Sequence, residues 1–469
     1  MVRFPALAAC AAMSVCAFGQ SSGRINPEVG AIVGEISQDR IAASMKTLGG
    51  FETRGNFTPT GDAKRGIGAA RRWIYDQFRS YSPRLEVSLD SHRVKAAGRI
   101  FRDVDVVNVI AVLPGASQSG RRVIVTAHYD SLSIVTKEGA GDFRANGEGA
   151  TDAMDNEKSA VAPAPGVTDD ASGVALVLEL ARVMSRHRFE KTIVFAAFAG
   201  EEIGLVGSTL YADRVKQKGD LIDAVLNNDV VGTDDNGNGV RASGLVHVFS
   251  EEPADSSSRE LARYIRECTQ RYVPGFDASP VFRNDRFDRG GDHFPFVMDG
   301  YPGVRFTSAA ENLKAQHTPR DTFELASPGY TANVARVNAA AMASLAFAPP
   351  APEVTREGTS TASQGRRLPN LSRGAKLSDA VLKWSASDAE DLAGYAIVVR
   401  PTTAPYWDHE IFVGNVTQYT LSGVNIDDVV LGVKAIDRDG NESPVSAYVA
   451  LPFPRPSIEV IDENASTQP

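Results

Sequence analysis

Short apolar runs alternate with helical patterns between residues 101 and 345 of this chain. Their periodicity predicts strands over residues 105–113, 122–128, 192–198, 223–229, 244–249 and 303–307, and helices over residues 171–186, 206–217, 256–271 and 329–346. Buried strands that are separated by amphipathic helices are typical of an α/β domain. We therefore predict a mixed, largely parallel central sheet with helices on both faces.

Proline-rich sequence ends this pattern and predicts a linker over residues 349–355. Short strand patterns separated by turn signals follow at residues 381–384, 395–399, 418–421 and 430–435. They predict a small all-β sandwich over residues 356–454 that resembles a fibronectin type III-like domain, with Trp384 and Tyr395 in its core. A polymer or a surface is a candidate ligand of this domain. Residues 455–469 are predicted to form a flexible tail.

The first twenty residues match a secretory signal peptide. Arg3 precedes an apolar stretch from Ala6 to Phe18, and the sequence around Gly19 fits a cleavage site. We therefore expect residues 1–19 to be removed and the remaining protein to be secreted or periplasmic, with its first domain over residues 20–348. Later apolar runs fall short of the roughly 18 residues that span a bilayer, so no membrane span is predicted.

The composition argues against nucleic-acid binding and against a disulfide within the chain. The formal net charge of −9 and the absence of a clustered basic face argue against nucleic-acid binding. Once the signal segment is removed, Cys268 is the one cysteine left, so an intramolecular disulfide is excluded. Its place in a helical pattern predicts a buried packing residue.

Histidine and acidic residues stand where predicted strands end. His128 and Asp229 each close an apolar strand, and the adjacent acids Glu201 and Glu202 follow the strand over residues 192–198. Ligands of open α/β sheets bind outside the carboxyl ends of the strands. These residues are therefore candidates for one site at that edge.

Two further residues complete a candidate zinc site. Asp169 precedes the helix over residues 171–186, and His317 lies beyond the last predicted strand. Zinc takes imidazole and carboxylate ligands, and a pair of zinc ions needs a bridging carboxylate because the ions repel each other. Asp169 suits that role, since it stands where a loop enters a helix. Two zinc ions carry +4 and three carboxylates carry −3, which leaves +1 for a hydroxide ion to neutralise.

The order of these residues resembles that of the M28 family of zinc exopeptidases, which includes bacterial leucyl-type aminopeptidases. The matching blocks are His128-x-Asp130, Asp169-x-x-Ser172-Gly173, Glu201-Glu202, Asp229 and His317-Thr318-x-x-Asp321. The resemblance implies two zinc ions per chain, one held by His128 and Asp229, the other by Glu202 and His317, with Asp169 bridging them. It implies that Glu201 is the general base and that Asp130 orients His128. The leading hypothesis is a secreted or periplasmic di-zinc aminopeptidase that acts on peptides.

Three alternatives stay open. A glutaminyl cyclase-like acyltransferase, which also resembles this family, would use a single zinc ion. An M28-type carboxypeptidase would need a cation for the terminal carboxylate of its substrate, and Arg289 or Arg305 is a candidate. A non-enzymatic protein would bind its ligand through the sandwich domain and keep the first domain as a relic.

Neighbouring residues have weaker claims to the site. His293 is a rival metal ligand, Asp170 is predicted to cap the following helix, and Asp292 and Asp321 are predicted to orient nearby groups. Residues 234–239 resemble the start of a calcium loop, but the loop lacks a glutamate at its twelfth position, so we predict a polar turn.

A long connection over residues 131–168 leaves the predicted edge of the site. It is rich in Gly, Ala, Asp and Glu, and loops of this length within a compact domain are usually functional or disordered. A lid over the substrate pocket and a solvated insertion are equally compatible with this sequence.

Overall fold

An eight-stranded sheet forms the centre of the first domain in a computed structural model of the chain, which describes residues 25–139, 153–251, 256–283, 289–358, 367–376 and 378–449. Its strands are β1 (Glu86–Val94), β2 (Val104–Leu113), β3 (Gln118–His128), β4 (Lys191–Phe198), β5 (Leu221–Asn228), β6 (Leu245–Ser250), β7 (Asp277–Phe282) and β8 (Gly303–Ser308). They lie side by side in the order β1-β2-β4-β3-β5-β8-β6-β7. The predicted signal segment (residues 1–19) and tail (residues 455–469) lie outside the described residues.

The sheet is mixed, as predicted. β3 pairs in parallel with β4 and β5, β5 pairs in parallel with β8, and β6 pairs in parallel with β7. The β1–β2, β2–β4 and β6–β8 pairs are antiparallel. The four strands β4, β3, β5 and β8 therefore point the same way, and their carboxyl ends meet at one edge.

Helices cover both faces of this sheet, which confirms the predicted fold class. They are α1 (Pro27–Gly34), α2 (Gln38–Gly49), α3 (Gly66–Tyr81), α4 (Asn156–Val161), α5 (Ser172–Met184), α6 (Val206–Lys218), α7 (Ser257–Tyr272), α8 (Phe294–Met298) and α9 (Pro328–Phe347).

Alternate residues of the central strands pack against different helices. On β3, Val123 and Val125 belong to the large cluster formed with α2, α5 and α9, whereas Ile124 belongs to a second cluster. In that second cluster Phe198 packs against Phe296 of α8, with 6.4 Å between the ring centroids. Burying one phenylalanine side chain contributes roughly 1.5–3 kcal/mol to stability, so both faces add to the stability of the domain.

Helix α7 illustrates how the sequence produces an element. The side chain of Ser256 caps its first turn by accepting a hydrogen bond from the main-chain N–H of Arg259. Leu261, Ile265 and Cys268 then recur at helical spacing and are buried. The prediction that Cys268 is a buried packing residue is confirmed.

Several elements of the first domain were not predicted, and two of them show why. Strand β7 contains Pro280, which cannot donate to a ladder, and its residues do not form an apolar run. The strand is tolerated because it lies at the edge of the sheet and pairs with β6 alone. The other element is α8, whose five residues are too few to show a helical period.

Antiparallel strands form the second domain, as predicted. They are β9 (Thr355–Glu357), β10 (Arg367–Pro369), β11 (Leu371–Arg373), β12 (Ala380–Lys383), β13 (Leu392–Pro401), β14 (His409–Gly414), β15 (Gln418–Leu421), β16 (Val429–Asp437) and β17 (Ser446–Ala447). One sheet has the order β11-β12-β15 and another has the order β14-β13-β16-β17. Trp384 and Tyr395 are both buried in the core, with 5.5 Å between their ring centroids, so their predicted role is confirmed.

Helix α7 also forms the contact between the two domains. The Tyr264 hydroxyl donates to the main-chain oxygen of Glu442, and the Glu442 carboxylate binds Arg271 at 3.2 Å. Lys434 of β16 binds the same carboxylate at 3.0 Å. The indole N–H of Trp407 donates to Glu260. The sandwich domain is thus attached through buried charged groups as well as through the polypeptide chain.

Within the described residues, no helix combines the length and the apolar character that crossing a membrane requires.

Candidate metal centre

The candidate ligands lie together at the carboxyl edge of the parallel strands. His128 is the last residue of β3, and Asp229 follows β5 directly. Glu202 lies in the loop after β4, and Asp169 lies in the turn Val167–Ala171 that leads into α5. His317 follows β8. The topology therefore brings together residues from five separate segments.

One group of ligand atoms consists of His128, Asp169 and Asp229. The distance from His128 Nε2 to Asp169 Oδ1 is 3.1 Å, and the distance to Asp229 Oδ1 is 3.8 Å. All three residues are buried, and their ligand atoms lie within 4.8 Å of one another.

A second group consists of Asp169, Glu202 and His317. His317 Nε2 lies 3.2 Å from Asp169 Oδ2 and 3.1 Å from Glu202 Oε2. Asp169 thus presents one carboxylate oxygen to each group. Two metal ions that share Asp169 would each have one histidine and one further carboxylate.

The donor set fits zinc. Zinc binds nitrogen and oxygen ligands at about 2 Å, so neighbouring ligands of a tetrahedral ion lie about 3.3 Å apart, close to the distances in both groups. Glu202 Oε1 is buried and has no hydrogen-bond partner among the described residues. Buried carboxylate oxygens are normally paired or bind metal, so this atom also points to a cation.

The charges in the site call for a positive partner. Burial alone would lower the pKa of His128, but its contacts with Asp130, Asp169 and Asp229 raise that pKa well above the ordinary value. Burial alone would likewise raise the pKa of Asp169, but hydrogen bonds with His128 and His317 hold it well below the ordinary value. The carboxylates therefore stay ionised beside a cation, which is Arg305 for Asp229 and either a protonated imidazole or a metal ion for Asp169.

Glu201 differs from Glu202 in its surroundings. It is half-buried and belongs to neither group of ligand atoms. Burial, together with the nearby carboxylates of Asp229 and Glu202, raises the pKa of Glu201 well above the ordinary value, although His128 opposes that shift. A carboxyl group with a raised pKa beside a metal site suits proton transfer.

Asp130 contacts the loop with Glu201 and Glu202 as well as His128, the residue that it was predicted to orient. His128 Nδ1 lies 3.1 Å from the main-chain oxygen of Asp130 and 3.6 Å from its carboxylate. The carboxylate instead accepts hydrogen bonds from the main-chain N–H groups of Glu201 and Glu202 and from Asn56 Nδ2. The side chain of Asp130 therefore holds the acidic loop, while its main chain faces the imidazole.

Two other acids hold the main chain around Asp169. Asp321 accepts hydrogen bonds from the N–H groups of Thr168 and Asp169, at 2.9 and 3.0 Å. Asp170 accepts from the N–H of Gly173 at 2.9 Å, so it caps α5 as predicted. It also accepts from the N–H of His128 at 3.3 Å. These contacts fix the position of the bridging candidate without using its own oxygens.

Arg54 was not singled out from the sequence, although it is fully buried beneath the site. Its guanidinium donates to the main-chain oxygens of Tyr129, Leu48, Pro165 and Gly166. Tyr129 follows a ligand along the chain, and Gly166 precedes the turn with Asp169. A single arginine far from a strand end carries no pattern that predicts four carbonyl partners.

Backbone strain is concentrated at the site. Three of the four non-glycine residues with positive φ in the described chain are His317 at +54°, Val230 at +60° and Leu205 at +58°. His317 is a candidate ligand, Val230 follows Asp229, and Leu205 ends the loop with Glu202. Such conformations persist where the surroundings enforce them, and they are frequent at functional sites.

Residues with weaker claims have other partners. His293 Nε2 lies 2.9 Å from Glu251, and His293 belongs to neither group of candidate ligand atoms. Asp292 is fully buried, and burial raises its pKa to about 7. In the calcium-like segment, side chains bind the loop itself: Asp235 accepts from Gly237 N–H at 2.8 Å, as expected of a polar turn.

The described ends of the connection over residues 131–168 run beside the site. The main-chain N–H of Ile134 donates to the oxygen of His317 at 3.0 Å, and the Ser131 hydroxyl donates to Ala164 at 2.7 Å. Residues 140–152 lie outside the described residues. Both ends of the connection are thus held at the metal-binding edge of the sheet.

Comparisons with known proteins identify the family and the fold. The model of peptidase family M28 matches residues 108–342. A probable zinc metalloprotease of Pyricularia oryzae is 35% identical over 461 residues, which cover 90% of this chain and 84% of that protein. Among solved structures, the LapA aminopeptidase of Legionella pneumophila is similar with a TM-score of 0.50 and 19% identity, over 69% of this chain and 75% of that chain. A glutaminyl cyclase of Macrostomum lignano also has a TM-score of 0.50, with 16% identity over 69% of this chain and 92% of its own. The two structural likenesses show a shared fold.

Proposed function

The chain belongs to peptidase family M28, a family of zinc metallopeptidases, and on that premise we propose that it is a two-zinc aminopeptidase acting on the free N-termini of peptides. The observation that carries the proposal is the position of Asp169. Its Oδ1 lies 3.1 Å from His128 and its Oδ2 lies 3.2 Å from His317. A carboxylate with one oxygen toward each of two ligand groups is the arrangement that a pair of dications needs.

The residues of the chain divide the work as follows. His128 and Asp229 would hold one ion, and Glu202 and His317 would hold the other. Zinc ions bound there would supply Lewis acidity toward the scissile carbonyl and toward a water molecule. Asp321 and Asp170 hold the main chain of the turn with Asp169, so that its two oxygens face different ligand groups.

Glu201 is the proposed general base. Its carboxylate takes the proton of the attacking water and then delivers that proton to the leaving nitrogen, which would otherwise depart as an unstable anion. The raised pKa of Glu201, caused first by burial, keeps its basicity high enough to accept a proton. Asp130 fixes this carboxylate indirectly, because it accepts a hydrogen bond from the main-chain N–H of Glu201.

The pairing of the nearby cations supports an aminopeptidase rather than a carboxypeptidase. Arg305 lies 3.0 Å from Asp229, and it also donates to the main-chain oxygen of Gly290. Arg289 binds both carboxylate oxygens of Glu311, at 3.0 and 2.6 Å. These two candidates for binding a terminal carboxylate are therefore already bound to acids, whereas a free ammonium group would meet a site rich in carboxylates.

A single-zinc glutaminyl cyclase remains the second enzyme hypothesis, because a cyclase shares the fold. The two separate groups of ligand atoms favour two ions over one. Catalysis by one ion would leave either the buried pair His128 and Asp229 or the buried carboxylate of Glu202 without a metal, at a cost in stability.

Two further proposals concern export of the protein and a ligand for the sandwich domain. We propose that residues 1–19 direct export and are removed, which predicts a mature chain that begins at Gln20. Sequencing the N-terminus of the protein recovered outside the cytoplasm tests this. A polymer or surface ligand for residues 356–454 is tested by co-sedimentation of the whole protein with insoluble polysaccharides or cell envelopes.

The decisive experiment on reaction type uses one peptide sequence in three forms: unmodified, N-acetylated and C-amidated. Product mass spectrometry of an aminopeptidase digest shows N-terminal shortening of the unmodified and amidated forms, and no change in the acetylated form. Shortening of the acetylated form from its C-terminus would instead identify a carboxypeptidase. A fourth peptide with N-terminal glutamine identifies a cyclase, since it would lose ammonia without shortening.

A further inference from the structure

One buried side chain joins the two ends of the loop that carries Glu201 and Glu202. β4 ends at Phe198 and α6 begins at Val206, and we call residues 199–207, which include the first two residues of α6, the acid loop. Main-chain bonds already bring its ends together: Gly207 N–H donates to the oxygen of Ala199 at 3.0 Å, and Val206 N–H donates to the oxygen of Gly200 at 2.9 Å.

Asn108 of β2 completes this closure. Its side chain is fully buried. Asn108 Oδ1 accepts a hydrogen bond from the N–H of Ala199 at 3.1 Å, and Asn108 Nδ2 donates to the oxygen of Gly207 at 3.0 Å. A primary amide offers an acceptor and donors in one plane, so it can bind both ends of a loop at once. A carboxylate of similar size cannot make the same pair of bonds, because it has no hydrogen to donate.

The orientation of this amide is set by Asp90, its cross-strand neighbour on β1. Asp90 Oδ2 accepts a hydrogen bond from Asn108 Nδ2 at 3.0 Å. Because a carboxylate can only accept and the N–H of Ala199 can only donate, the amide has a single arrangement that satisfies both. Asp90 is itself bound by His92 at 2.9 Å and by Arg214 of α6.

Close packing leaves the loop ends little freedom to shift. A Cβ atom added to Gly207 would lie 2.2 Å from the oxygen of Ala199 and 2.3 Å from Asn108 Oδ1. Only glycine allows the start of α6 to approach this closely. The spacing between β4 and α6 is therefore determined by direct contact with the Asn108 side chain.

We propose that Asn108 is a positioning residue for Glu201 and Glu202, acting by fixing the ends of the acid loop. Asp130 holds the middle of the same loop through the N–H groups of Glu201 and Glu202. Two side chains thus anchor the loop at different places, and loss of Asn108 would let its ends separate. The proposal rests on the proposed function for the role of Glu201, whereas the anchoring itself is independent of the reaction.

The test compares Asn108→Ala with Asn338→Ala. Asn338 is an equally buried asparagine on α9, and its amide bonds to Asn228 at 2.8 Å instead of to the acid loop. Amide hydrogen exchange of the proteins as purified, with their metal content matched, is measured at residues 199–207. We expect exchange there to rise about ten-fold or more in Asn108→Ala and to stay at the wild-type rate in Asn338→Ala, since only the first variant frees the loop ends.

Metal release provides a second readout. Glu202 lies in one of the two ligand groups, so Asn108→Ala should speed the transfer of one ion to a chromophoric chelator by about 10–100-fold and leave the other unchanged. With a peptide substrate, kcat should fall by about 10–100-fold while KM stays within about two-fold, because the loop carries the base. A variant that is only less stable would release both ions faster.

A double variant covers the case in which Asn108→Ala does not fold. In the double variant Asn108→Asp with Asp90→Asn, the amide donor lies on β1 and the carboxylate acceptor lies on β2, the reverse of the wild type. A carboxylate oxygen at position 108 can still accept the hydrogen bond from the N–H of Ala199. The double variant should restore slow exchange at Ala199 relative to Asn108→Asp alone. The proposal is overturned if the loop of folded Asn108→Ala exchanges at the wild-type rate, or if the double variant gives no recovery. If the wild-type protein has no peptidase activity, the proposed function is contradicted, but the exchange result still tests whether Asn108 anchors the loop.

Discussion

The carboxylate of Asp130 accepts a hydrogen bond from the main-chain N–H of Glu202, with 3.2 Å between Asp130 Oδ2 and the nitrogen. This contact links Asp130, two residues after the ligand candidate His128, to the loop that supplies Glu202 to the second ligand group. A side chain that was predicted to orient one imidazole therefore also sets the position of two glutamates. Its effect on the reaction should be correspondingly large.

Asp130→Asn should lower kcat/KM by about 10–100-fold, the range found for residues that support metal ligands. The asparagine amide keeps the size of the side chain but replaces one acceptor by a donor, which faces the N–H groups of the loop. Steady-state kinetics on an aminoacyl amide, with zinc content measured on the same sample, checks this. Unchanged kinetics at full zinc content would show that the loop does not depend on Asp130.

Glu201→Gln should lower kcat by a factor of about 10²–10⁴ while both zinc ions stay bound, because the amide removes the base and spares every candidate ligand. Elemental analysis and kinetics on the same preparation separate the two effects. Glu202→Gln is the matched control, one residue away, and it should lose zinc as well as activity. Normal turnover by Glu201→Gln would refute the general-base assignment.

Arg54→Met should destabilise the first domain by at least about 3 kcal/mol, since it leaves four main-chain oxygens without their buried donor. The change keeps an unbranched side chain of similar length, so the loss is one of hydrogen bonds more than of volume. Urea unfolding followed by circular dichroism measures the difference. Arg65→Met, on an exposed arginine that pairs with exposed Glu52, should change stability far less.

Glu442→Gln should destabilise the contact between the domains by about 1.5–3 kcal/mol, because half-buried Arg271 and buried Lys434 lose the carboxylate that they share, while Glu410 still binds Lys434 at 2.7 Å. The control is Asp427→Asn, which removes an exposed pair with Arg373 on the sandwich surface and should have little effect. Equal unfolding midpoints of Glu442→Gln and the wild type would show that the buried charges do not hold the domains together.

The same carboxylate predicts a pH dependence. Burial alone would raise the pKa of Glu442, but Lys434 and Arg271 hold it below its ordinary value of 4.5. A carboxyl group whose pKa is lower in the folded protein than in the unfolded chain adds stability above the unfolded pKa and loses that stability as the pH falls through the folded pKa. The stability difference between the wild type and Glu442→Gln should therefore be full above about pH 5 and should shrink at lower pH.

Much of the fold follows from periodicity. The strands that begin at Lys191 and Leu221 contain apolar runs over residues 193–198 and 224–226, which lie between helical patterns, so the parallel part of the sheet could be predicted. Residues at the ends of such strands, such as His128 and Asp229, must then share one edge. The strand over Asp277–Phe282 could not be found in this way, because an edge strand that contains proline does not need an apolar run.

The residues that support the site could not be predicted from the sequence, for a different reason. Arg54 binds main-chain oxygens 75 and 112 residues away, and main-chain partners leave no trace in residue type. Asn108 stands inside an apolar strand, where one amide is compatible with packing, capping or a ligand contact. Only the three-dimensional structure shows that its two partners are the ends of one loop.

The central claim is that Asp169 serves two metal ions at once. Titration of the metal-free protein with Zn²⁺, followed by calorimetry and by elemental analysis of the washed product, tests it most directly. The account predicts two ions per chain in the wild type and, in Asp169→Asn, weakened binding of both, because each ligand group loses one charged oxygen. Saturation of the wild type at one ion per chain, or loss of only one ion in Asp169→Asn, would contradict it.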